Sequence, residues 1–295
     1  MRTFMQRRAT TATAGLILLG LGACSDDGAG PSGGALTQAE AEFAAEVVAD
    51  DADAQSDVLS SGSAGGASFS LAALAPFGAQ CTPPPAVSPA PTDQDGDIIP
   101  DSVRFTFDPP CVLSLPLRTV TRTGIIDVVD PTPVDLDWAR RVRFVDFLTT
   151  RSRVVSGATV SALRNGVRTV TGDADALQHD VTGFVTAFTH ADGSVTSHTR
   201  TWSSTFTADV PGSIARNQPL PSGTWEISGT STWQRGDRTW SASVTTNPSL
   251  HYDASCAEAP RFDAGTLTLV VTRGGNTSTV TIEYSGCGLY EVTKS

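Results

Sequence analysis

Four aspartates crowd into the stretch "TDQDGDIIPDS", at Asp93, Asp95, Asp97 and Asp101. Carboxylates on alternate residues can turn toward one point, and calcium takes six to eight oxygens at loose geometry. With Asp93 as position 1, Asp95 is 3, Asp97 is 5, the carbonyl of Ile99 is at 7 and Asp101 is at 9. A loop that offers carboxylates on alternate residues in this way can wrap such an ion. Waters or another segment must fill the rest of the shell, so the affinity expected is weak and of the extracellular type. The loop is not an EF-hand: Ile98 stands where that motif has Gly, and position 12 is Arg104 instead of a bidentate acid. The rival reading is an acidic loop of Asx turns with no ion.

The run "DQDGDIIPDS" resembles the D-x-D-G-D-G-I-P-D-S form of thrombospondin type-3 repeats and related bacterial calcium loops. The resemblance covers about ten residues in a single copy. It implies Asp93, Asp95 and Asp97 as ligands, with Asp101 direct or through water. Ile98 departs from the Gly of that pattern and makes a left-handed turn there costlier.

Reaction chemistry is harder to find. The chain has no G-x-S-x-G, H-E-x-x-H or G-x-x-x-x-G-K-[ST], and no strand-to-helix G-x-G-x-x-G. His179, His190, His198 and His251 fall at no metal-binding spacing, and read as ordinary strand or loop residues. Asp127, Asp130, Asp135 and Asp137 could include an acid and base pair for glycoside cleavage, but the separation that decides this is not a property of sequence. Trp138, Trp202, Trp225, Trp233 and Trp240 offer flat faces for sugar stacking. The competing reading is core packing, since Trp225, Trp233 and Trp240 would share a strand face with Ile227 and Val244. Arg235-Gly236-Asp237 spells an integrin-binding tripeptide, yet a hairpin turn explains it.

The amino terminus says where the chain goes. Arg2, Arg7 and Arg8 precede an apolar run from Ala14 to Ala23, with no acid among them. That is a secretory signal with an h-region too short to span a bilayer as a stable helix. The "LGAC" of Leu21 to Cys24 resembles the lipobox of bacterial lipoproteins. The resemblance implies cleavage before Cys24, a diacylglyceryl thioether on its sulfur, and two or three acyl chains (palmitate among them) as membrane anchor. One acyl chain binds marginally and two or three hold stably. Ser25 at the next position resembles lipoproteins sorted to the outer membrane of Gram-negative cells.

Removing residues 1–23 takes away three Arg and no acid, which leaves 17 basic against 31 acidic residues and a net charge of −14. A field of that sign repels phosphate backbones and anionic headgroups, so nucleic acid is not an expected partner. Cysteines 81, 111, 256 and 287 form an even set in an exported chain, which predicts two disulfides with three connectivities open. The expected pairs are the sequential ones, Cys81 with Cys111 and Cys256 with Cys287. Each closes about 30 residues, worth roughly 3–4 kcal/mol on the chain-entropy model.

These residues need elements to carry them. Residues 24–35 have the small, polar, Gly-rich composition of a flexible tether. In 36–61, Thr37 and Glu40 form an S/T-x-x-E capping box and Phe43, Ala44, Val47 and Val48 share a face, predicting a helix from about Gln38 to Ala52. Its Asp50, Asp51 and Asp53 sit at the unfavourable end of the macrodipole. Residues 62–101 are Gly/Ser- and Pro-rich loop ending in the aspartates. From 102 to 295 the chain is dense in Thr, Val, Ser and aromatics, enough for one sizeable core.

Two hairpins are sharply drawn. A turn at Gly236-Asp237 sets Trp233 opposite Trp240, Ser231 opposite Ala242 and Gly229 opposite Val244. A turn at Gly274-Gly275 sets Leu269 opposite Val280 and Leu267 opposite Ile282. Weaker turns are expected at Asn165-Gly166 and Asp192-Gly193, and further strands at Val103 to Phe107, Thr119 to Val129 and Val142 to Thr149. The fold class expected is mainly β, an antiparallel meander forming a sandwich, a barrel or a curved sheet, with one short N-terminal helix. The expected function is a structural or ligand-binding role at the cell envelope, with a carbohydrate-binding module or a glycoside hydrolase-like enzyme as alternatives.

Overall fold

The computed structural model describes residues 36–38, 40–42, 44–45, 47–49, 52, 82–97, 99–115, 118–135, 138–153, 157–215, 218–256 and 260–295. The signal region, the Cys24 anchor and the tether lie outside these residues. Thirteen strands build one antiparallel sheet. They are β1 (Ala86–Ser88), β2 (Ser102–Leu115), β3 (Arg118–Val129), β4 (Arg140–Arg153), β5 (Thr159–Gly172), β6 (Ala176–Thr189) and β7 (Val195–Ala208). Then come β8 (Gly223–Arg235), β9 (Arg238–Thr246), β10 (Leu250–Tyr252), β11 (Phe262–Arg273), β12 (Asn276–Gly286) and β13 (Leu289–Lys294). Strands β1 to β8 pair in chain order, and β11, β12 and β13 follow. Strands β9 and β10 share the lane between β8 and β11. The break between them falls at Asn247-Pro248, where proline has no N–H to give the ladder. Asn247 N–H still donates to the Thr266 carbonyl and Thr266 N–H to the Pro248 carbonyl, so pairing with β11 runs through the break.

The two sharply drawn hairpins form as expected, with all three pairs of the first and both pairs of the second in register. The Asp192-Gly193 turn joins β6 to β7. The turn expected at Asn165-Gly166 is a correction: both residues lie inside β5, and the strand does not reverse there. Gly166 is needed for another reason. Its φ is 140°, and a Cβ there would lie 2.8 Å from Phe184 Cα, so only glycine lets β6 cross so closely.

That close approach belongs to a seam. Extra residues bulge from β2 between Phe107 and Cys111, from β4 between Phe144 and Phe147, and from β6 between Val181 and Phe184. The strands between them supply Gly124 and Gly166, where a side chain would meet the bulged neighbour. Each inserted residue bends its strand and strengthens the local twist. From β7 to β8 the ladder runs without a bulge.

Registered positions place the buried residues on one side of the sheet, in two apolar clusters. In β2 to β6 it holds Val103, Phe105, Phe107, Ile126, Phe144, Phe147 and Phe184. From β7 on it holds Trp202, Phe206, Trp225, Ile227, Trp233, Leu267, Leu269 and Ile282. The described residues of 38–52 are helical. The capping box forms: Glu40 N–H donates to Thr37 Oγ1 at 3.2 Å, and Thr37 N–H donates to Glu40 Oε2 at 2.9 Å. The helix packs into the larger apolar cluster with Ala41, Ala44, Ala45, Val48, Ala49 and Ala52, of which Ala44 and Val48 belong to the expected face. Val47 is only half-buried and Phe43 lies outside the described residues. Alanine lets a helix approach a sheet whose own side chains are already large.

Arg273 of β11 reaches back to the helix, its Nη1 2.8 Å from Glu40 Oε1. Cys256 and Cys287 form the expected disulfide, tying the β10–β11 connection to the β12–β13 turn. Cys111 is buried and disulfide-bonded, and Cys81 lies outside the described residues. Beside them Thr82 and Val112 exchange two backbone hydrogen bonds.

Candidate functional site

The aspartate loop packs against the start of the sheet. Asp101 N–H donates to the Thr92 carbonyl at 2.8 Å, closing the loop, and Asp130 N–H donates to the Pro100 carbonyl, joining it to the end of β3. Each of the first three aspartates makes an Asx-type turn. Asp93 Oδ1 accepts from Gly96 N–H at 2.8 Å, Asp95 Oδ1 from Asp97 N–H at 3.0 Å and Asp97 Oδ1 from Ile99 N–H at 2.6 Å. These turns bring one carboxylate oxygen from each of Asp93, Asp95 and Asp97 within 4.8 Å of one another. Asp97 is fully buried. Asp101 is not in that group. It accepts from the Thr92 hydroxyl at 2.8 Å and from the Gln94 backbone at 3.0 Å, which hold its carboxyl below the usual carboxylate range. Three of the four aspartates thus converge, and the fourth braces the loop.

The other candidates separate. Asp127 is engaged by Arg104, with Nε 2.7 Å from Oδ1. Asp130 is buried and accepts from Thr132 N–H at 2.8 Å, Asp135 is exposed, and Asp137 lies outside the described residues. Trp202, Trp225, Trp233 and Trp240 are buried, and Trp138 packs against the same core. The exposed row that a sugar platform requires is not made by these five. Arg235-Gly236-Asp237 is the β8–β9 turn and its approach.

Two features were not read from the sequence. His251 is clasped by two carboxylates, Nδ1 2.6 Å from Asp263 Oδ1 and Nε2 3.0 Å from Asp209 Oδ2. The hydrogen bond to Asp209 first, against partial burial, then Asp263, raises the imidazole above its ordinary pKa. Positions 209, 251 and 263 meet only because β10 lies between β8 and β11.

The second feature is a basic zone on the buried face. By register, Arg122 (β3), Arg140 and Arg151 (β4), Arg164 and Arg168 (β5) and Arg200 (β7) all project to the side that carries Phe144, Phe184 and Trp202. Among the described residues, no acid of β3 to β7 shares that side. Phe184 is the hub: the guanidinium carbons of Arg168 and Arg200 lie 4.6 and 4.8 Å from its ring centre. Burial pushes Arg140 down to about 10, and burial then Arg151 lowers Arg122. Burial, then Arg168, Arg140 and Arg200, pushes His179 well below its ordinary value and keeps it neutral. Next to this zone Trp202 Nε1–H donates to Ser231 Oγ at 3.0 Å, and His198 stacks on Trp233 at 4.9 Å. Arg140, the Arg164 and Arg168 pair in "ALRNGVR" and Arg200 were the available trace, but only register shows that they share a side.

Comparison with protein-family models, with curated proteins and with solved structures finds no match to this chain.

Proposed function

We propose that the protein is an exported lipoprotein of the cell envelope, anchored through acylated Cys24, with a structural or ligand-binding role carried by the sheet. The carrying observation is the run from Arg2 to Cys24: three arginines, a short apolar stretch, then "LGAC". Ser25 directs the anchor to the outer membrane of a Gram-negative cell, and residues 25–35 give the domain reach. The row of bulges on β2, β4 and β6 favours a strongly curved sheet wrapped about the alanine face of the helix. Labelled palmitate should enter the wild-type protein and not Cys24→Ser, with the wild type in the membrane fraction. Equal labelling of the two proteins would sink the reading.

The same reading gives the aspartate loop a calcium ion, held by Asp93, Asp95 and Asp97, with the Ile99 carbonyl and Asp101 completing the notional set. The fit rests on three convergent carboxylate oxygens beside a fully buried Asp97. Bound there, calcium supplies a charge that offsets carboxylate repulsion and orders the junction into β2. Millimolar calcium should raise the melting temperature, and Asp95→Ala should abolish the rise; a wild type that does not respond counts against calcium.

A further inference from the structure

Two features of the chain are each unfavourable alone. On the buried face where β4 to β7 meet, Arg140 is 9% exposed and Arg200 5%, and Arg168 and Arg200 both lean on the Phe184 ring. Among the described residues no acid of β3 to β7 shares that side, although charge is tolerated in such a place only when it is paired. Each of the three guanidiniums is engaged. The second feature is the run "DDADAQSD", which sets Asp50, Asp51, Asp53 and Asp57 at the carboxyl end of the helix predicted from Gln38 to Ala52, where the macrodipole disfavours negative charge.

These four aspartates lie outside the described residues, but Ala52 in their midst does not. Ala52 is fully buried in the apolar cluster that also holds Val170, Leu177 and Trp202. Val170 pairs with Arg140 on one side and with His179 on the other, Arg168 stands two residues along the same strand, and Arg200 stands two residues from Trp202. Positions two apart on a strand share a side at about 7 Å, and chain neighbours of Ala52 start about 3.8 Å from it. From Ala52 the chain goes on to Thr82, which pairs with Val112 of β2, so residues 53–81 connect the larger cluster to the far side of β3 to β6. The helix already makes one pair of this kind at its other end, where Glu40 Oε1 lies 2.8 Å from Nη1 of the buried Arg273.

We infer that the acidic run Asp50–Asp57 of this same chain is the counter-charge of the arginine face, docked on it through ion pairs from its carboxylates to Arg140, Arg168 and Arg200. Guanidinium forks match carboxylate oxygens in pairs, and a ring-flanked arginine is held ready for that geometry. Each unfavourable feature then answers the other: the arginines offset the macrodipole at the acids, and the acids let the arginines stay charged in a buried place. The helix is fastened at both ends, by Glu40 to the regular strands and by the acidic run to the bulged ones. The arginine face is thus an internal docking surface, occupied by the chain itself. The inference stands apart from anchorage and from calcium, since acylation of Cys24 and the loop at Asp93 can each fail with these pairs intact.

The test is carboxylate titration by NMR on the full-length protein in neutral detergent, with labelled aspartate and single Asp→Asn variants to assign the four signals. At least two of Asp50, Asp51, Asp53 and Asp57 should titrate below the usual carboxylate range, and should move back toward it in Arg200→Gln. In urea unfolding, Asp50→Asn/Asp51→Asn/Asp53→Asn should raise the unfolding equilibrium constant by about tenfold or more. Combined with Arg200→Gln it should raise the constant by clearly less than the product of the two separate changes, whereas Glu283→Gln, at an exposed position of β12, should multiply independently. Should Arg200→Gln fail to fold, the wild-type titration decides without it. Inorganic phosphate at about 10 mM should leave the wild-type melting temperature where sodium chloride of equal ionic strength leaves it. The proposal is overturned if all four aspartates titrate in the ordinary range, or if the aspartate and arginine losses multiply independently. It is equally overturned if phosphate stabilises the wild type, because the arginine face would then be open to an outside anion.

Discussion

Between β7 and β8 thirteen consecutive residue pairs run unbroken from Thr196–Arg235 to Ala208–Gly223, whereas each ladder from β2–β3 to β6–β7 carries a register shift. In the regular half the buried face carries the larger apolar cluster, which takes in the helix, with His198, Arg200, Ser231 and Arg273 among its buried polar side chains. In the bulged half phenylalanines share that face with arginines. A regular ladder keeps alternation in phase, so every second residue can be spent on the core. A bulge shifts the phase: in β6 the buried residues are Leu177, His179 and Val181, then Phe184 and Thr186. The bulged half gives up some apolar packing and gains curvature and a place for charge.

The largest effect expected from this contrast comes from the regular half. Trp225 is fully buried, in edge contacts with Phe206 and Phe262 at 5.4 and 6.2 Å. Trp225→Ala should cost about 3–5 kcal/mol in urea unfolding. A loss below about 1 kcal/mol would show that this half does not carry the stability assigned to it. Next is the staple. The Cys256→Ser/Cys287→Ser double variant opens a loop of sequence separation 31, and should lose roughly 3 kcal/mol, with the midpoint falling and protease sensitivity appearing near β13.

Two glycines then set the halves against each other. Gly166→Ala forces a Cβ to 2.8 Å from Phe184 Cα at a φ of 140°. The backbone of β6 must move, at about 2–3 kcal/mol. Gly236→Ala, in the β8–β9 turn, meets nothing within 4 Å and has a φ of 60°. It should cost about 1 kcal/mol. Equal losses would erase the distinction between a glycine required by a crossing strand and one required by a turn.

What could be read from sequence follows the same division. The hairpins at Gly236-Asp237 and Gly274-Gly275 were legible because the strands around them alternate without a bulge, so one turn assignment aligned Trp233 with Trp240 and Leu269 with Val280. Asn165-Gly166 misled because Asn-Gly is the strongest short-range turn signal. Here the glycine answers a neighbour at position 184, a cause that local reading does not contain. The helix cap at Thr37 and Glu40 was legible because its partners are three residues apart. Its buried face was legible at Ala44 and Val48 and not at Ala41, Ala45, Ala49 and Ala52, because alanines carry little hydrophobic signal and their burial depends on the size of the residues opposite. Asp93, Asp95 and Asp97 converge through Asx turns that the spacing implied, but the diversion of Asp101 to Thr92 and Gln94 depends on how the loop closes. The arginine face needed the register of four ladders.

The smallest expected effect lies in the clasp at His251, which fastens β10 to β11 and to the segment after β7. With its folded pKa above the unfolded value of 6.5, the protonated form is bound more tightly in the native state. Its contribution to stability is therefore fully present below about pH 6.5 and is lost as pH rises through the raised value. The side chain is 37% exposed, so solvent and salt weaken the interaction. Asp209→Asn removes the first cause of the shift and should bring the His251 titration, followed by NMR, back toward its ordinary position. The variant's melting temperature should fall relative to wild type at pH 6 and converge with it at pH 9. Because the clasp lies wholly within the regular half, its loss should add independently to that of Gly166→Ala in the bulged half. Strongly non-additive losses in the double variant would mean that the two halves share one pH-sensitive element, and that their separation along the bulge seam is only geometric.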